Sequence, residues 1–107
     1  MRKIETQMCS AVHNNQNWSN SNTTVSFNEE DNTSIVRLHG NHIATVGDDY
    51  VEIFDGGYQS NTTKSRLNAI INEFCEPTTD GVFQKNYQWF ITDNNITKEF
   101  RNGYVFS

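Results

Sequence analysis

A chain of 107 residues holds one domain, 1–107, and is too short for two well-packed ones. Its apolar share of 35% is low, although an aromatic share of 12% supplies bulk for one core. A formal charge of −5 speaks against sequence-independent duplex binding, which needs a basic surface, and leaves room only for a local basic site.

One proline and six glycines argue against a low-complexity or collagen-like chain. Asparagine recurs in pairs such as Asn14-Asn15 and Asn94-Asn95, a usage that often follows an AT-rich genome. The two cysteines, Cys9 and Cys75, lie far apart and read as free thiols. The N-terminus, Met1-Arg2-Lys3 followed by mixed polar residues, lacks a signal-peptide core, and no apolar run nears the roughly 20 residues of a membrane span. A cytosolic protein without membrane contact is therefore expected. Asn-x-Ser/Thr triplets at Asn17, Asn22, Asn32, Asn61 and Asn95 then carry no glycosylation meaning.

In chain order, Met1, Ile4, Met8 and Val12 recur at near-helical spacing, so residues 1–22 open with a short helix or a docked arm. Residues 13–22 read as a polar loop anchored by Trp18. Val25 and Phe27 alternate with polar neighbours as a half-buried strand does, and Glu29 to Asn32 forms a turn. Segments 35–39 and 42–46 flank Gly40-Asn41, a pair suited to a tight hairpin; Gly47 to Asp49 turns again into a strand over 50–54.

The stretch Gly56 to Phe74 reads as a glycine hinge, a hydroxyl- and amide-rich cap and an amphipathic helix from about Thr62 to Cys75. Leu67, Ile70, Ile71 and Phe74 form its buried stripe, and Pro77 stops it. Residues 82–91 read as one long strand or two short ones around Lys85-Asn86. A helical turn over 96–101 and an edge strand over 104–106 close the chain. The expected fold is α+β and two-layered: an antiparallel meander with one helix across one face, in the order β-β-β-α-β-β.

The helix start is the leading candidate site. It carries Lys64 and Arg66 and no acid, which the helix dipole disfavours by roughly 0.3–1 kcal/mol per cation, so an anion is expected nearby. Ser60, Asn61, Thr62 and Thr63 would add side-chain oxygens and amides to the free backbone N–H groups, and Gly56-Gly57 would let the backbone approach a ligand. Alternatively, Asn61 or Thr62 merely caps the helix and the cations pair with Asp48, Asp49, Glu52 or Asp55. The strand Phe83 to Trp89 interleaves aromatic rings, amides and Lys85, as stacking on a base requires. Its plainer reading puts Tyr87, Trp89 and Ile91 in the core. His39 and His42 bracket a turn without the further ligands a structural zinc needs, and no protease, hydrolase or paired-cysteine motif is present. No metal, cofactor or catalytic residue is expected.

The segments LHGNHIA from Leu38, DGGYQSNTTKSRLNAI from Asp55 and FQKNYQWFI from Phe83 resemble those of a family of small tailed-phage proteins. The resemblance covers Leu38 to Ile91, with Tyr58 where that family's pattern has tryptophan. It implies a viral setting in the host cytoplasm and no particular activity.

Three functions follow as expectations. The first is a non-enzymatic binder of a phosphorylated small molecule such as a nucleotide, with sequestration of a host defence signal as its role: Tyr58 or Trp89 stacks the base, Ser60, Thr62 and Thr63 fix phosphate oxygens, and Lys64 and Arg66 supply charge. The second is an inhibitor that binds a host protein through acidic and aromatic surface; the third is a single-stranded nucleic-acid binder. Low apolar content and edge strands also lead to an expected homo-oligomer.

Overall fold

The computed structural model describes residues 2–107; Met1 of the N-terminal apolar pattern lies outside the described residues. The opening segment is a full helix, α1 (Lys3–His13), whose first turn is held by the Glu5 carboxylate accepting from the Arg2 backbone N–H at 3.3 Å. Five strands follow: β1 (Trp18–Asn20), β2 (Thr23–Asn28), β3 (Thr33–Leu38), β4 (Asn41–Val46) and β5 (Val51–Ile53). Then come α2 (Asn61–Phe74), β6 (Gly81–Lys85), β7 (Gln88–Asp93), β8 (Ile96–Glu99) and β9 (Tyr104–Phe106).

All pairings are antiparallel, in two sheets. The larger has the order β1-β2-β3-β4-β5-β9, and the smaller is β6-β7-β8. One buried rung, Val25, Val36, Ala44, Ile53 and Tyr104, crosses five strands of the large sheet on the face that α1 and α2 cover. The register shifts after Val36, which faces Ala44 while Arg37 faces His42. The extra residue lets Ile43 and Ala44 both bury themselves, as a bulge does.

The α+β class is as expected, but the single helix and single meander are corrected to two helices and two sheets. Trp18 belongs to a strand rather than a loop. Ile96–Glu99 is a strand rather than a helical turn, because Asn94 and Asn95, with φ of 53° and 64°, fold it back on β7. The β3–β4 hairpin turns at His39-Gly40, with φ of 52° and 78°, one residue before the expected pair.

Candidate functional site

At the start of α2 the cap is Ser60 rather than Asn61 or Thr62. Its backbone is extended and its Oγ accepts from the Thr63 N–H at 3.1 Å. The Thr63 hydroxyl pairs with Ser60 Oγ at 2.9 Å and lies 3.3 Å from the Tyr58 carbonyl, so both hydroxyls serve the cap. Gly56 has φ of +70°, and a Cβ there would come within 3.2 Å of Asn41 and Ile43. Its close approach is thus to β4 and not to a ligand. Tyr58, Ser60, Thr62 and Thr63 line a cavity of about 190 Å³ together with His39 and Asp55. Neither Lys64 nor Arg66 is part of its wall. Asn61 is exposed at the helix tip.

The two cations go elsewhere. Lys64 sends its ammonium to within 3.5 Å of the Gln84 side-chain oxygen on β6. Arg66 is only 4% exposed: Nη1 donates to Glu5 Oε2 at 2.7 Å, Nε to Thr23 Oγ1 at 3.1 Å and Nη2 to Asn22 Oδ1 at 3.4 Å. Ser65 donates to the same carboxylate oxygen at 2.6 Å. Burial pushes the Glu5 carboxyl up, but hydrogen bonds from Ser65, Arg66 and the Arg2 backbone outweigh it and hold it below its ordinary value. The anion for Arg66 is therefore Glu5, not Asp48, Asp49, Glu52 or Asp55.

The next motif residue also has a structural task. The Asn68 amide donates to the Val82 carbonyl and accepts from the Val82 N–H, both at 2.8 Å, and so stands in for a strand beside β6. Ala69 offers its carbonyl to the Cys9 thiol at 3.7 Å. Both cysteines are free, and burial pushes each thiol up to about 12, with help from Glu73 and Glu5 at Cys9 and from Asp80 and Asp93 at Cys75. They are poor nucleophiles at neutral pH. Cys75 lies in the wall of a second cavity, about 310 Å³, whose lining also includes Asp48, Asp49, Glu76, Asp80 and Asp93. Among the described residues, no group of three or more histidine, cysteine or acidic side chains is placed to hold a metal, and no helix is long and apolar enough to cross a membrane.

The aromatic strand follows the plainer reading at Trp89 and Ile91, which are buried, and at Lys85 and Gln88, which are exposed, but departs from it at Tyr87. Trp89 is 3% exposed and meets Phe100 edge-on at 5.3 Å, away from the α2 cavity. Tyr87 is not core: it occupies the two-residue turn Asn86-Tyr87 with φ of 65° and is 96% exposed. The alternation along β6 and β7 places Val82, Gln84, Trp89 and Ile91 on one face, with Phe83, Lys85, Gln88 and Phe90 on the other. On that outer face Phe83 and Phe90 lie stacked, ring centres 5.4 Å apart and planes 21° from parallel. The signal for this pairing is the period-two alternation, readable once Asn86-Tyr87 rather than Lys85-Asn86 is taken as the turn.

The helix start and the aromatic strand thus do not share a cavity. Tyr58, Ser60, Thr62 and Thr63 stay together, Arg66 and Trp89 enter the interior, and Lys85 marks the end of the outer sheet face. Searches of curated proteins and of solved structures return no match. A family model described as Kyanoviridae Gp96 protein matches residues 1–107, and the chain belongs to that family of phage proteins.

Proposed function

We propose that this phage protein acts by docking on another protein through the outer face of β6-β7-β8. The observation that carries this is Tyr87, 96% exposed in a left-handed position of the β6–β7 turn, at the end of the hairpin that carries the stacked Phe83 and Phe90. A bulky residue at positive φ costs roughly 1–2 kcal/mol that glycine would avoid. An exposed ring adds no packing in return. A partner that buries such rings gains roughly 1.5–3 kcal/mol for each fully covered side chain. The charge of −5 favours partners with a basic rim and disfavours nucleic acid.

The test is photo-crosslinking from position 87 in host lysate, alongside capture by wild type, Tyr87→Gly and Phe83→Thr. One crosslinked species, a host protein or a second copy of the chain, whose crosslink is lost with Phe83→Thr and whose capture is lost with Tyr87→Gly supports the reading. An unchanged set of captured proteins overturns it.

A second reading keeps the phosphorylated ligand or nucleotide at the start of α2. It is favoured by the cavity whose wall holds Tyr58, Ser60, Thr62 and Thr63, ahead of the first helical bond from Lys64 N–H to the Ser60 carbonyl. It is weakened by Asp55 in the same cavity wall and by the engagement of Arg66 with Glu5. Isothermal titration with mono-, di- and cyclic nucleotides tests it, and an absence of heat with all of them rejects it.

A further inference from the structure

We infer that the occupant of the outer face of β6-β7-β8 is a second copy of this chain, packed across a two-fold axis. The inference rests on the docking reading above and names its partner. Phe83 on β6, Phe90 on β7 and Glu99 on β8 form one rung of the face. Lys85 lies on the same face, opposite Gln88 and next to the hairpin turn. The patch therefore carries an aromatic pair at its middle, a cation at one corner and an acid at the diagonal corner.

Neither charge is satisfied among the described residues. The ion pairs among the described residues are His13–Glu73 and Arg66–Glu5, and neither Lys85 nor Glu99 has a side-chain hydrogen bond. A two-fold axis in the plane of the face, crossing between Phe90 and Gln88, exchanges the two corners. It sets Lys85 of each copy against Glu99 of the other and lays the Phe83–Phe90 pair on its own counterpart. Such self-complementarity is what an isologous interface requires. Nucleic acid fits less well, because Glu99 stands beside the stacking rings and the whole chain is acidic.

A three-stranded face is smaller than the roughly 800 Å² per partner of standard interfaces, so a weak dimer is expected, with Kd in the roughly micromolar range. Sedimentation velocity from about 1 µM to about 1 mM, a range set around that expected Kd, reads it directly. Lys85→Glu and Glu99→Lys each replace two attractive pairs by two repulsive ones, and each is expected to weaken the dimer roughly tenfold or more. Mixing the two variants pairs opposite charges at both corners, so an equimolar mixture is expected to dimerise as wild type does. Both positions are exposed, and unchanged thermal melting checks the fold.

Dimerisation with this pattern of loss and rescue supports the inference. A monomer throughout, or a dimer indifferent to both charge reversals, overturns it. Host-protein crosslinks from position 87 that persist in a monomeric protein would reject the second copy while leaving the docking reading intact.

Discussion

A buried arginine calls for an anion, and at Arg66 that anion comes from α1, 61 positions away in sequence. The misplaced charge is legible in the sequence, but its partner is not, since four nearer acids offered themselves and only the fold selects Glu5. Removing one member of a buried pair costs ~3–5 kcal/mol, so Glu5→Gln is expected to lower the urea midpoint sharply. Arg66→Met combined with Glu5→Leu should recover much of that loss. The Glu5 carboxyl is held below its ordinary value of 4.5, so its ionised form stabilises the fold above that pH, and the contribution disappears as pH falls through the folded-state value. Urea midpoints measured against pH should show this acid-side decline in wild type and lack that portion in Glu5→Gln. At Tyr87 the opposite sign is expected: Tyr87→Gly relieves the left-handed backbone and raises stability by about 1 kcal/mol, seen as a higher Tm.

At the level of elements, α2 was legible because its stripe of Leu67, Ile70 and Ile71 is buried as the spacing demands. Its neighbour β8 was not. Ile96 and Phe100 sit four apart, as on a helix face, and all four residues of β8 are exposed, so no burial pattern marks a strand. Only the left-handed Asn94-Asn95 turn gives it a partner. The edge of β6 is protected by Asn68 rather than by another strand, which explains an amide in the middle of a helix. Asn68→Ala should leave the Val82 N–H and carbonyl without that partner, at roughly 1–3 kcal/mol. Hydrogen exchange at the Val82 amide is expected to rise more than exchange at the buried amides of β3 and β4.

Across the whole molecule, the two sheets are joined near Tyr104, whose hydroxyl on β9 donates to Asp93 at 2.6 Å and receives Lys98 Nζ at 3.2 Å. Burial, with the Asp93 hydrogen bond, raises this phenol above the usual tyrosine range. In an alkaline spectrophotometric titration, a phenol should therefore ionise above the usual tyrosine range, and Tyr104→Phe should remove that step. The class α+β was legible from the alternation of strand and helix patterns. The division into two sheets was not, because nothing local distinguishes a strand that joins the first sheet from one that starts another.

β9 closes the large sheet by pairing with β5, although α2 and the whole small sheet lie between them in the chain. That pairing is a long-range closure, while every other strand pair joins neighbours in sequence. Segment 54–103 must be threaded into place before Ile53 can meet Tyr104, so loop-closure entropy delays this edge. During refolding the β5–β9 ladder is expected to acquire exchange protection last, after both local meanders. On the ribosome, the sheet stays one strand short until Tyr104 to Phe106 emerge.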